Sequence, residues 1–174
     1  MTPPGDAPRV LVVYATRYGS TASVARAIAD RLGQHGLRVD LSPAHEIDSV
    51  RPYDAVVIGG ALYMGRWHRD ARRFVHRHRA ALTRIPVAVF GMGPVGGTEH
   101  DADGSREQLE RALTHVPELV PIDVAIFGGV IDPAKLHFPL SRMQAYDGRD
   151  WDAIERWSDE LAARFGVADR QAVR

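Results

Sequence analysis

The chain has 174 residues, 45% of them apolar and 25% charged, which suits one soluble domain with one sizeable core. It holds no cysteine, and this excludes a disulfide framework, a thiolate metal site, a Cys-x-x-Cys redox pair and a Cys nucleophile. The formal net charge is zero, yet residues 1–98 carry 13 arginines against 7 acids and residues 99–174 carry 9 basic against 15 acidic side chains. That asymmetry suits two solvated faces of opposite sign, or an approach to an acidic protein, an anionic substrate or a lipid surface.

Residues 1–8 show neither a basic n-region nor an apolar h-region, so a cytoplasmic location is expected. Arg9 to Tyr14 is an apolar run of strand length. Ser20 to His35 then places apolar residues at 24, 25, 28, 29 and 32, the spacing of a buried helix face, and Gly36 closes it. Arg38 to Leu41 alternates as an edge strand does. The crossover from Ala44 to Arg51 has room for one helical turn at most. Asp54 to Gly60 and Ile85 to Phe90 are continuous apolar runs, as expected of strands covered on both faces. Between them a helix is predicted from about Arg66 to Leu82, with Ala71, Phe74, Val75, His78 and Leu82 on one face. A further helix is predicted over Ser105–Leu113 with Ser105 as its N-cap. Ile122 to Gly128 reads as the fifth strand, and Trp151 to Phe165, capped by Asp150, as the last helix. The longest apolar runs, such as Val124 to Ile131, are too short to span a bilayer, so any membrane contact is peripheral. The domain spans 9–166, with 1–8 and 167–174 read as flexible tails.

Strands alternating with helices imply a parallel sheet wrapped on both faces. Ligands of such sheets bind beyond the carboxyl ends of the strands, where strand order reverses. Three loops therefore become the candidate site. The first is Thr16-Arg17-Tyr18-Gly19-Ser20-Thr21, where hydroxyls, a flexible glycine and free helix-start amides suit a phosphate dianion, although Ser and Thr also open ordinary helices. The second runs from Gly59 to Trp67 and includes Gly60, Ala61, Leu62 and Tyr63. Its small residues permit close approach of a ligand to the backbone. Tyr63 and Trp67 are the aromatic candidates for ligand contact, with core packing the other reading of Trp67. The third holds Gly91, Met92, Gly93, Pro94, Val95 and Gly96.

The first loop resembles the phosphate loop of the flavodoxin family, with Tyr18 where many members have a second Thr. The pattern Gly60-x-x-Tyr63-x-Gly65-x-x-His68, followed by a basic helix with Phe74 and Val75, resembles the flavodoxin-type, menaquinone-dependent protoporphyrinogen oxidase branch over about residues 9–165. The resemblance implies a flavodoxin-like, doubly wound, five-stranded parallel sheet of order 2-1-3-4-5. It also implies FMN as cofactor, with the second loop against the isoalloxazine and the third (Met92, Gly93, Pro94, Val95, Gly96) along the pyrimidine edge. FMN is preferred to FAD because the first loop offers one phosphate site. The implied function is an FMN-dependent oxidoreductase acting on a quinone or a protoporphyrinogen-like substrate. The alternatives are an electron-transfer flavodoxin serving an acidic protein partner and a cofactor-free binding module. One departure stands out: the branch carries a long insert before the last helix, whereas residues 132–149 are short here, with Leu136, Phe138, Leu140 and Met143 as their apolar side chains.

Several other motifs are set aside. Gly91-x-Gly93-x-x-Gly96 spells a dinucleotide fingerprint, but its helix is expected only near Ser105 and Pro94 removes an amide from the cradle. The arginines at 66, 69, 72, 73, 77 and 79 fall mostly opposite the apolar face, which suits a solvated surface first and an anion-recruiting patch second. His78 lies on the apolar face as a satisfied core histidine would. A neutral chain without interleaved aromatics gives no support to nucleic-acid binding. No spacing resembles a metal site, a G-x-S-x-G elbow or a receiver's acidic pocket.

Overall fold

Val10 to Val13 are wholly shielded from solvent, because β1 (Arg9–Ala15) lies inside a parallel sheet covered on both faces. The computed structural model describes residues 7–63, 65–93 and 99–172. After β1 come β2 (Arg38–Pro43), β3 (Ala55–Tyr63), β4 (Arg66–Trp67), β5 (Val87–Gly93) and β6 (Asp123–Gly128). The parallel strands lie in the order β2-β1-β3-β5-β6, and β4 pairs antiparallel with the end of β3. With the two-residue β4 set aside, this is the predicted 2-1-3-4-5 order, and β2 is an edge as expected.

The helices are α1 (Ser20–Gln34), α2 (Arg69–Leu82), α3 (Glu99–Leu113) and α4 (Trp151–Ala172). Side chains alternate across β1, so Val10 and Val12 join α1 and α4 in one core, while Leu11 and Val13 join α2 and α3 in the other. All five apolar positions predicted for α1 are buried, and so are all five for α2. Each fully buried Val or Leu contributes about 1.5–3 kcal/mol from area removed from water. His78 is the satisfied core histidine: its Nε2 lies 3.3 Å from the Ile47 carbonyl, and burial lowers its pKa.

Several boundaries differ from the sequence reading, and α4 runs to Ala172, seven residues past the predicted Phe165 and through most of the segment read as a tail. The predicted helix from Arg66 is a tight hairpin first, because Leu62 and Tyr63 pair with Trp67 and Arg66, and α2 starts only at Arg69. α3 opens at Glu99, six residues before the predicted start, and Ser105 is a buried residue within it rather than its cap. Acidic residues at 99, 101 and 103 suit the positive end of a helix, a signal that the Asp-Gly pair at 103–104 obscured. Between β6 and α4 the chain forms a small hairpin of β7 (Val130–Ile131) with β8 (Tyr146–Asp147) that periodicity did not show. Among the described residues, no helix is long and apolar enough to cross a membrane.

Asp159 on α4 ties this helix to α1. It accepts from Arg31 Nε at 2.6 Å and Nη2 at 2.9 Å, and lies 2.7 Å from His35 Nε2. The Arg31 guanidinium, with His35 beside it, holds the Asp159 carboxyl well below the usual carboxylate range. A carboxyl depressed in the folded state binds fewer protons than in the unfolded chain, so its stabilisation is present above the unfolded value and is lost as pH falls below about 4. Asp159→Asn should therefore lower stability at neutral pH and flatten its decline below about pH 4, as read by urea unfolding across pH.

Candidate functional site

β1, β3 and β5 end side by side, and the loops that leave them open into one cleft of about 1010 Å³. The first loop contributes Thr16, Arg17, Tyr18 and Ser20, the second Ala61, Leu62 and Tyr63, and the third Met92 and Gly93. These are the predicted site residues that the fold brings together. Gly19 and Ser20 face a smaller adjoining hollow. Thr21 is fully buried and Gly60 lies beneath the cleft, and neither lines it. Pro94, Val95 and Gly96 lie outside the described residues, as does Met64.

The first loop turns on itself. Gly19 adopts φ 94, a left-handed conformation that a side chain would strain, and its amide donates to Thr16 Oγ1 at 2.9 Å. Glycine at the N-cap supplies no side chain, so no side-chain cap closes the first turn of α1. Its amides remain for another acceptor. Thr21 Oγ1 is buried with no hydrogen-bond partner among the described residues. Arg17 links the first loop to the second, its guanidinium 5.4 Å from the Tyr18 ring centre and 5.7 Å from that of Tyr63. Tyr63 itself is about half exposed, at 46%.

The second loop is held by Trp67. Its ring is buried and its Nε1 donates to the Gly60 carbonyl at 3.2 Å, so core packing is the role the fold assigns it, although its edge reaches the cleft. A Cβ on Gly60 would come to 2.4 Å from that Nε1, and one on Gly59 to 2.0 Å from the Phe90 ring. Both glycines are demanded by neighbours on opposite faces of β3. Next to Trp67, His68 caps α2: its Nδ1 accepts from the Asp70 amide at 3.2 Å. Burial lowers the His68 pKa, and the nearby arginines 69, 17 and 72 add to this. The ring is thus neutral near pH 7, with its proton on Nε2.

Two further walls close the cleft, and the sequence offered the first only as the second reading of its basic helix and named residues of the other without placing them here. One is cationic, where Arg66, Arg69 and Arg72 from β4 and the first turn of α2 join Arg17. Arg73, Arg77 and Arg79 do not line the cleft, and Arg77 Nη2 lies 3.4 Å from the Asp48 carboxylate. The other wall is apolar, made by Val130, Ile131, Leu136, Leu140 and Met143 from the segment after β6. Its signal was the apolar side chains themselves, at 40% exposure for Leu140 and 43% for Met143 in a short polar connection. One ground against the rival glycine motif falls, since α3 opens at Glu99, three residues beyond Gly96, and a ground that remains is that the motif follows β5 rather than β1.

A parallel sheet of this order with a ligand-sized cleft at its switch point defines the flavodoxin-like class. The family described as "Flavodoxin domain" matches residues 11–143, and the chain belongs to it. The chain is also 30% identical over 89 residues to protoporphyrinogen IX dehydrogenase (quinone) of Escherichia coli strain K12. That match covers 50% of this chain and 49% of the relative, so the chain spans about half the length of the curated relatives it matches. Among solved structures, a flavodoxin from the domain Archaea is similar with a TM-score of 0.61 at 14% identity, covering 90% of this chain and 98% of that one. Rubredoxin oxygen:oxidoreductase of Desulfovibrio gigas gives 0.63 at 14% identity, covering 94% of this chain and 38% of that one. These likenesses establish the fold.

Gly60→Ala should cost about 1–3 kcal/mol in urea unfolding, since the added methyl must displace the Trp67 ring. A shift in tryptophan emission should accompany it, and an unchanged spectrum with unchanged stability would refute the seat described for Trp67.

Proposed function

We propose that the chain is an FMN-dependent oxidoreductase whose cleft takes a small-molecule substrate of quinone or protoporphyrinogen type beside the flavin. The observation that carries this reading is the size and lining of the cleft. Its volume of about 1010 Å³ lies at the upper end of the ~300–1,000 Å³ usual for small-molecule sites, which suits a flavin with a second organic molecule.

The residues present fit FMN. Ser20 and the rest of the uncapped first turn of α1 offer amides to a phosphate, and the unpartnered Thr21 hydroxyl lies in that same turn. Thr16 and Ser20 would flank the phosphate, Ala61 to Tyr63 the ring, and Met92 and Gly93 its far edge. When bound, the flavin supplies the redox chemistry. The chain's own work is to orient it and to limit water. Leu62 and Tyr63 from β3, with Leu136, Leu140 and Met143 opposite, offer apolar surface to a planar molecule. Arg66 and Arg69 place cations at the rim, where they attract carboxylates, and neutral His68 presents an N–H. The name of the Escherichia coli relative, with its porphyrinogen and quinone, supports the same substrate class.

The exposed Arg66 and Arg69 also favour a second reading, electron transfer to an acidic protein partner. Turnover separates the two. The purified protein should quench FMN fluorescence on titration and, once loaded, should reduce a quinone at the expense of a porphyrinogen. Failure to take up FMN overturns the first claim. Binding without turnover leaves the electron shuttle. Arg69→Ala should raise KM about threefold to tenfold for a carboxylate-bearing substrate and leave that for a neutral quinone nearly unchanged.

A further inference from the structure

The chain contains 22 lysines and arginines, of which Lys135 is the single lysine. The fold brings Lys135 from the segment after β7 to the first loop, 117 positions earlier, where its Nζ donates to the Tyr18 carbonyl at 3.4 Å. Arg149 arrives at the same place from beyond β8, its Nη1 donating to Ser23 Oγ at 2.8 Å. Between them is a hollow of about 350 Å³, with Gly19, Ser20 and Ser23 on one side and Asp132, Lys135 and Arg149 on the other.

Arg149 is held in place on three sides. Asp147 accepts from its Nε and Nη2, Trp151 lies beneath its guanidinium at 4.9 Å, and Ser23 takes the bond from Nη1. Of five guanidinium N–H groups, these acceptors use three, and two remain. Asp147 in turn holds the Arg149 pKa up, so the cation persists at any working pH. Lys135 is the movable partner, with a flexible stem and an ammonium 3.6 Å from Asp132. The first turn of α1 beside this hollow has no side-chain cap, and the buried Thr21 hydroxyl in that turn has no hydrogen-bond partner among the described residues. An amide-only phosphate loop needs no such cations, and two of them are delivered here by a distant segment.

Resting on the FMN reading above, we infer that Lys135 and Arg149 form a cationic clamp for the phosphate monoester dianion held at the first loop. The segment after β6 thus serves both ends of the ligand: Leu136, Leu140 and Met143 line the ring end, and Lys135 and Arg149 close the phosphate end. The bound phosphate would also join that segment to α1.

Lys135 is 57% exposed in its side chain, so its replacement leaves the fold intact. FMN and riboflavin, which lacks the phosphate, are titrated into wild type, Lys135→Ala and Lys135→Glu by fluorescence quenching at low and at raised salt. Wild type should prefer FMN, with affinity that falls as salt rises. Lys135→Ala should weaken FMN about fivefold, leave riboflavin unchanged and flatten the salt dependence, and Lys135→Glu should weaken FMN further. Wild-type affinity and salt dependence in both variants would overturn the clamp while leaving the FMN reading standing. Wild type that binds neither flavin, or binds both equally, would overturn the phosphate loop and the clamp together.

Discussion

The indole of Trp67 occupies the space that a Cβ at position 60 would need, and the rest of the site depends on that seat. The contact fixes where β3 stops being part of the sheet. Beyond it the chain turns back through Arg66 and Trp67 against Leu62 and Tyr63, then enters α2 through the His68 cap. Arg72 Nε donates to the Trp67 carbonyl at 3.1 Å and so carries the constraint one turn into the helix. A single close approach therefore positions the second loop, the cationic wall and the neutral histidine. On the opposite face of β3, Gly59 admits Phe90, which packs on Phe127 and Trp157 at centroid distances of 5.9 and 6.1 Å. The end of β3 is thinned from both sides, and the cleft opens where the strand is thinnest.

What was legible in the sequence followed from periodicity. Val10 to Val13 and the stripes at 24, 25, 28, 29 and 32 each report a local rule, burial on two faces or on one, and the strand order followed from the family those residues resemble. The boundaries were lost where two local signals competed. Arg66 and Trp67 fit a helix by spacing, but backbone pairing with Leu62 and Tyr63 comes first because Gly65, at φ 76, turns the chain. Ser105 has the chemistry of a cap, and instead its small side chain lets α3 approach Gly93, where a Cβ would come to 2.6 Å from its Oγ.

The site was legible loop by loop and hidden as a whole. Thr16 to Ser20, Ala61 to Tyr63, and Met92 with Gly93 lie near one another because parallel strands end in register, a consequence of topology. The contributions of residues 130–149 rest on no periodicity at all. Val130 and Ile131 pair with Asp147 and Tyr146, and the Gly148 amide donates to the Gly129 carbonyl at 3.0 Å. A Cβ on Gly128 would come to 2.0 Å from the Gly148 carbonyl oxygen. Glycines at the foot of the hairpin let it fold back flat against the sheet, and its arm then reaches α1. Long-range contacts of this kind leave only isolated marks in a sequence, here one lysine and a few apolar residues in a polar stretch.

That arrangement separates two tasks physically. The first loop and the start of α1 present hydrogen-bond donors, whose geometry is set by the helix end and changes little with what lies elsewhere. The ring end is shaped by side chains from β3, β4 and the segment after β6, with Leu140 and Met143 still partly exposed. Exposed apolar side chains lose water only when something covers them, so the apolar wall is completed by its ligand. Arg66 and Arg69 stand beside that wall, and attraction between charges is strongest where water is displaced. A molecule that is both apolar and anionic is favoured by both terms together, whereas one that is only charged stays solvated at the rim. On the proposed function, a second occupant would therefore be selected by pairing apolar surface with charge, independently of how firmly the phosphate end is held.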